Sequence, residues 1–228
     1  MKKNIVNLKY KILGIYGGGG LGREVFELAK LLNSIDEKWS EIIFIDDAKI
    51  KYNPRNLKVL SFSNIVEQYN RNSIDICIAV GEPEIRGKLY KKIVHEGLNL
   101  VTLIHPDIFI PNSTVIGKGS IICNYLSITS DVVIGENVYI HPNTCIGHDS
   151  KIGAHTVISS YVDVAGNCEI GSRTFLAINV CMKQGITIGD SSIIGMASVV
   201  YRNLPNDIIA LGNPARVMKK NEKKSAFN

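Results

Sequence analysis

Aromatic residues make up only 7% of the 228-residue chain, and its single tryptophan, Trp39, stands far from the basic residues near the C-terminus. With no interleaving of aromatic and basic side chains there is no stacking platform, and no nucleic-acid partner is expected. Long apolar runs are absent as well. No stretch approaches a membrane span, and the opening Met1-Lys2-Lys3 segment is broken by Lys9 and Lys11 before a signal-like run develops. A soluble, cytoplasmic protein without a membrane partner is the expectation. The five cysteines, Cys77, Cys123, Cys145, Cys168 and Cys181, are odd in number and show no CxxC spacing. That excludes a disulfide framework and a cysteine metal site, and leaves small buried hydrophobes in a reducing compartment. Charge of one sign is also modest. The net +5 comes in good part from Lys219, Lys220, Lys223 and Lys224, either a solvated end or a cationic patch near a phosphorylated ligand.

What is present is a ladder. From Ile104 to Val200 an aliphatic residue recurs at every sixth position, through Ile110, Ile116, Ile122, Ile128, Ile134, Ile140, Ile146, Ile152, Ile158, Val164, Ile170, Leu176, Met182, Ile188 and Ile194. Four residues after most rungs stands a small or aliphatic residue such as Ser120, Val132, Thr144, Ser150, Thr156 or Cys168. Neither the helical period of 3.6 nor the strand period of 2 accounts for this, whereas short strands turning a corner every six residues do. Gly117, Gly135, Gly153, Gly171 and Gly189 follow rungs at intervals of 18. Three hexapeptides therefore make one coil, with the glycines stacked at one corner where the backbone needs a conformation that a side chain opposes. The expected object is a triangular prism of parallel coils about 4.8 Å apart.

The first third of the chain has a different pattern. Lys11–Tyr16 reads as a strand, Gly17-Gly18-Gly19-Gly20-Leu21-Gly22 as a loop, and 23–32 as a helix with Val25, Leu28, Ala29 and Leu32 on one face. Further strands over 42–45 and 74–80, and a helix over about 84–96, complete a small parallel α/β sheet. This predicts a Rossmann-like domain over 1–103 and a hexapeptide coil with its C-terminal tail over 104–228. A ligand site belongs where the strands end, at Gly17, Gly18, Gly19 and Gly20 and at the Asp46-Asp47 turn. Such a loop is compatible with a bare turn, a nicotinamide cofactor or a sugar nucleotide. Hydride transfer is disfavoured because the partner domain supplies no second βαβ half to wall in a nicotinamide ring. Arg86, at the start of the helix after Gly81, either reaches a phosphate or lies on the surface. His95, His105 and His141 read as structural residues.

The glycine-loop domain, Ile104-His105-Pro106, the unbroken hexapeptides, Ile146-Gly147-His148-Asp149 and the closing Gly212-Asn213-Pro214-Ala215-Arg216 together resemble the bacterial sugar acyltransferases of the PglD and NeuD type. The resemblance spans nearly the whole chain and implies a left-handed parallel β-helix, against the usual crossover hand, and a homotrimer. It implies a UDP- or dTDP-linked 4-amino-4,6-dideoxy sugar on the N-terminal domain, acetyl-CoA along the coil between subunits, and N-acetylation for surface glycan biosynthesis. The general base it implies is His148, helped by Asp149, with no metal. Position favours the same histidine, since it lies two residues past a rung and points outward. One departure stands out: the family's second histidine, nine residues after the base, is Val157 here, and His155 lies two residues short of it. Carbonyl polarisation then falls to a backbone N–H such as that of Gly166, one coil above His148. Lys219 and Lys220 are the expected neighbours of the CoA 3′-phosphate, and a cysteinyl intermediate through Cys145 is not expected. A sialic-acid-type O-acetyltransferase and a noncatalytic scaffold are the competing readings.

Overall fold

The computed structural model describes residues 11–48 and 56–227; the opening segment 1–10, considered above for a signal, lies outside the described residues. The chain divides into two units. One holds the described residues up to Val80 together with Lys88–Leu103, and the other holds Gly81–Gly87 together with the chain from Ile104.

In the first unit, β1 (Lys11–Tyr16), β2 (Trp39–Ile45), β3 (Val59–Leu60), β4 (Ile74–Ile78) and β5 (Asn99–Leu100) form one sheet in the order β3-β2-β1-β4-β5. Every pairing in it is parallel. Helix α1 (Gly20–Asp36) follows β1, and α2 (Phe62–Gln68) follows β3 with the Ser61 hydroxyl accepting from Asn64 N at its start. The central strands read as buried runs because helices cover a parallel sheet on both faces. β1 has the bounds its apolar run predicts, whereas β3 and β5 are two-residue strands too short to leave a period in sequence. Helix α3 spans Pro83–His95.

In the second unit, two-residue strands recur every six residues and stack in register at intervals of 18. They make three parallel faces. The first runs from Val115–Ile116 to Thr187–Ile188, the second from Leu103–Ile104 to Ile193–Ile194, and the third from Ser127–Ile128 to Val199–Val200. The second face is extended by Ile208–Leu211 and by the antiparallel Arg216–Lys220. Rung residues and the residues four places on fill the interior. The small hydroxyl residues there bridge coils, as where Thr156 Oγ1 donates to Gly171 O at 2.8 Å.

The stacked glycines do sit at one corner, but for a different reason than backbone conformation. None of the five has positive φ. A Cβ on Gly153 would instead stand 2.4 Å from Ser172 N, and one on Gly171 2.4 Å from Asp190 N, so the close approach of the next coil excludes a side chain. The left-handed positions lie three residues past the rungs from Ile116 to Ile194, as at Asp131, Asn137, Asn143, Asp149 and His155. Asn and Asp tolerate that region best after glycine.

Along the second face the outward residues Ile121, Tyr139, Val157 and Phe175 are buried, whereas Lys151 and Glu169 on the first are exposed. Segment Gly81–Gly87 and the tail help cover them. Arg86 lies over the Tyr139 ring, and Phe227 meets Phe175 edge-on at 5.1 Å. Far from being frayed, the tail is held by the buried Glu82 carboxylate, which accepts from Ser225 Oγ at 3.1 Å and Ala226 N at 2.8 Å.

Candidate active site

His148 lies at the corner where the third face turns into the first, two residues past Ile146, with its side chain 50% exposed. Asp149 occupies the left-handed position at φ 59°, and this turn brings its carboxylate to the preceding ring. His148 Nδ1 lies 2.7 Å from Asp149 Oδ2. Because the carboxylate can only accept, Nδ1 carries the proton and Nε2 presents a lone pair. Gly166 is directly above, with Asn167 N donating to His148 O at 2.7 Å. A Cβ on Gly166 would stand 2.6 Å from His148 Nε2, so only glycine leaves room for the ring. Gly166 is buried, yet its N–H finds no acceptor among the described residues. Amides two residues past a rung lack a protein acceptor elsewhere in the coil too, as at His148, Ala154 and Gln184, and Gly166 is the residue among these that abuts the His148 Nε2.

The 18-residue repeat carries this corner upward from His148 through Gly166 and Gln184 to Arg202. There, about 14 Å above by the spacing of stacked strands, opens a cavity of about 510 Å³ lined in part by Tyr201, Arg202, Asn203, Pro214 and Arg216. Arg202 stands on this column because it lies three intervals of 18 beyond His148. Lys219 and Lys220 are not on this column: they belong to the exposed strand capping the second face, paired with Ile209 and Ile208. Cys145 lies on the third-face strand three residues before His148, but burial and then the Asp163 carboxylate push its thiol up, which keeps it protonated and unsuited as a nucleophile.

The neighbouring corner, between the first and second faces, is structural. Arg86 is not a surface arm toward phosphate. Its side chain is 0% exposed, and its guanidinium donates to Asn137 O at 2.8 Å and Asn137 Oδ1 at 2.6 Å. Asn137 Nδ2 lies 3.1 Å from Arg86 O and 3.1 Å from His155 Nδ1, which joins His155 to the same network. His141 is half-buried, and burial, then the Arg86 charge, lowers its pKa to about 4, so it stays neutral at physiological pH. Val157 is 1% exposed in the apolar row of the second face.

In the first unit the glycine loop lies between the carboxyl ends of β1 and β2. Gly17, at φ 113°, takes its N–H to Ile45 O. Gly18 N donates to Asp46 Oδ2 at 3.0 Å, and Ala48 N to Asp46 Oδ1 at 2.9 Å, so Asp46 braces the loop. Asp47 accepts from Tyr16 Oη at 2.5 Å, Lys92 Nζ at 2.8 Å and Phe62 N at 2.8 Å. Burial raises its pKa, but the bonds from Lys92, Tyr16 and Phe62 outweigh that and hold the carboxyl below its ordinary range. Tyr16 shifts the other way, upward, through burial first and then Asp47. Gly19 and Gly20 differ from their neighbours in having no packing need for glycine. A Cβ on Gly19 would meet nothing within 4 Å, and one on Gly20 only Arg23 at 3.9 Å. Open space at a helix start is where an anion approaches the backbone closely. No group of His, Cys, Asp and Glu suited to a metal occurs among the described residues, and no helix there is long and apolar enough to cross a membrane.

Comparison with known proteins agrees in both units. Residues 12–93 match the PglD N-terminal domain, and residues 113–148 and 131–166 match the bacterial transferase hexapeptide (six repeats). A GDP-perosamine N-acetyltransferase of Escherichia coli O157:H7 is 27% identical over 136 residues, covering 56% of this chain and 60% of that protein. The match thus spans less than two thirds of the relative's length. Among solved structures, the acetyltransferase domain of PglB from Neisseria gonorrhoeae superposes with a TM-score of 0.85 at 27% identity, over 91% of this chain and 100% of that one. PerB from Caulobacter crescentus, in complex with CoA and GDP-perosamine, gives 0.82 at 26% identity, over 94% and 100%. The fold is a Rossmann-like domain followed by a left-handed parallel β-helix. Each unit matches its own family model, and solved acetyltransferase structures superpose on nearly the whole chain, so this chain is similar to the bacterial sugar acyltransferases that join a PglD-type domain to a hexapeptide coil.

Proposed function

We propose that this protein transfers an acetyl group from acetyl-CoA to the amine of a nucleotide-linked 4-amino-4,6-dideoxy sugar destined for surface glycans. The observation that carries the reading is the His148–Asp149 pair set against the orphaned Gly166 amide, below a cation-lined cavity on the same corner. His148 Nε2 accepts the proton as the sugar nitrogen bonds to the thioester carbon. Asp149 holds the tautomer and stabilises the imidazolium. Gly166 N–H meets the charge developing on the carbonyl oxygen, the role left open by Val157. The carbon–sulfur bond then breaks, and the proton on His148 passes to the departing thiolate.

The pantetheine arm of CoA can span the distance to the cavity, which makes Arg202 and Arg216, rather than Lys219 and Lys220, the cations facing its phosphates. For the acceptor, Gly19 and Gly20 supply open backbone for a diphosphate, with Asp46 bracing the loop. The relatives named for GDP-perosamine add a guanosine diphosphate sugar to the UDP- and dTDP-linked candidates.

Thiol release from acetyl-CoA with GDP-, UDP- and dTDP-linked 4-amino sugars is the decisive assay. Turnover is expected with one of them, and His148→Ala should lower kcat by roughly 10²–10⁴-fold, the usual contribution of a general base. Turnover with sialic acid alone would replace this reading by O-acetylation, and a fully active His148→Ala would remove His148 from the mechanism.

A homotrimer belongs to the same proposal. Tyr125, Tyr161, Ile178 and Met196 are exposed along the corner between the second and third faces, an apolar edge that self-association would cover. Light scattering should give three times the chain mass; a fully active monomer would contradict it.

A further inference from the structure

Ser150 follows the His148–Asp149 pair directly and is buried in the coil. Its hydroxyl donates to Ala165 O at 3.2 Å and accepts from Cys168 N at 3.1 Å. Ala165 O and Gly166 N belong to one peptide group. Because that group is planar, pinning the carbonyl from inside the coil also sets the direction in which the N–H points outside. Glycine has the widest backbone freedom of any residue, so this amide in particular gains from an external restraint. At another corner, the equivalent amides of Ser172 and Asp190 are taken up by Asp190 Oδ1 and Asn206 Oδ1. The Gly166 amide is held from behind in the same coil geometry and, like that of Ala154, has no such acceptor among the described residues.

We infer that Ser150 is a positioning residue for acyl transfer: from the coil interior it anchors the Ala165–Gly166 peptide and aims the Gly166 N–H beside His148. A hydrogen bond to the carbonyl also polarises the peptide and makes its N–H a stronger donor. The inference rests on the proposed roles of His148 and Gly166. The same hydroxyl-to-carbonyl bond recurs at Ser120, Thr144, Thr156 and Thr174, where it serves the coil alone. That recurrence supplies the control. Equivalent interior positions hold valine at Val132, Val138, Val162 and Val180, so the coil accommodates either valine or threonine at this site.

The test measures kcat, KM and thermal midpoint for Ser150→Val, Ser150→Thr and Thr156→Val beside the wild type and His148→Ala. Thr156 loses the matching pair of bonds, to Gly171 O and from Thr174 N, at a corner without the base. Ser150→Val should lower kcat about tenfold or more with KM little changed, a part of what losing an oxyanion donor outright costs. Ser150→Thr should restore kcat, and Thr156→Val should lower the midpoint comparably while keeping kcat. Wild-type kcat in Ser150→Val, or an equal kcat loss in Thr156→Val, would overturn the inference while leaving His148 in place. Undiminished turnover in His148→Ala would overturn the functional reading and this inference with it.

Discussion

Replacing Gly166 with alanine is expected to lower turnover about as much as removing the His148 imidazole, while leaving the coil folded. The added Cβ would stand 2.6 Å from Nε2, 2.7 Å from Cε1 and 3.0 Å from Cδ2 of His148, closer than such atoms approach. Something has to move, and the cheapest thing is the half-exposed imidazole rather than the paired backbone of the coil. Gly166 does not have positive φ, so alanine itself is unstrained there. The ring therefore swings outward, gives up its bond to Asp149 and leaves the Gly166 amide. A kcat loss of roughly 10²-fold or more follows if general-base catalysis is lost, with stability within about 0.5 kcal/mol of wild type. Steady-state kinetics and a melting curve on one preparation decide it. A Gly166→Ala protein with undiminished kcat would show that the ring position is immaterial to the reaction.

Gly22→Ala should do the reverse, unfolding structure without touching the proposed base. Its Cβ would lie 1.9 Å from Gly17 O and 2.9 Å from Gly17 C, and both obstacles are main chain. Gly17 is itself tied by its N–H to Ile45 O. Nothing flexible can yield, so α1 must lift from β1 and uncover the buried face that Val25, Phe26, Leu28 and Ala29 present. The expected cost is at or beyond the upper end of the ~1–3 kcal/mol typical of overpacking. Denaturant unfolding followed at Trp39, which is buried in this unit, reports it directly. An unchanged transition would mean that the helix is less closely seated on the strand than these distances require.

Much of this molecule is legible in its sequence because a coil repeats itself. The rungs are buried, the small residues four places on are buried with them, and His148 lies at an outward corner beneath Gly166. The pattern also marks a covered face. At 18-residue intervals the outward residues Ile121, Tyr139, Val157, Phe175 and Ile193 are all apolar, whereas Lys151 and Glu169 stand on another face. An apolar outer row on one face of a prism means that something covers it. The spacing places the glycine stack at one corner, and its cause is the nearness of the next coil rather than a left-handed backbone. Asp46 and Asp47 illustrate the limit on the other side. Adjacency in sequence suggests a shared role, yet one braces the glycine loop and the other joins Tyr16 and Lys92.

Residue spacing alone specifies the coil, its three-hexapeptide turn and the column on which His148, Gly166 and Arg202 stand. In a solenoid each residue meets chiefly its counterparts one repeat away, so linear spacing is already spatial arrangement. Folding, by contrast, is what buries Arg86 against Asn137, 51 residues on, and ties Glu82 to the tail at Ala226, 144 residues on. Those contacts join segments that share no period. Their partners are chosen by which buried charge or amide needs satisfying, and that need exists only once the chain has folded.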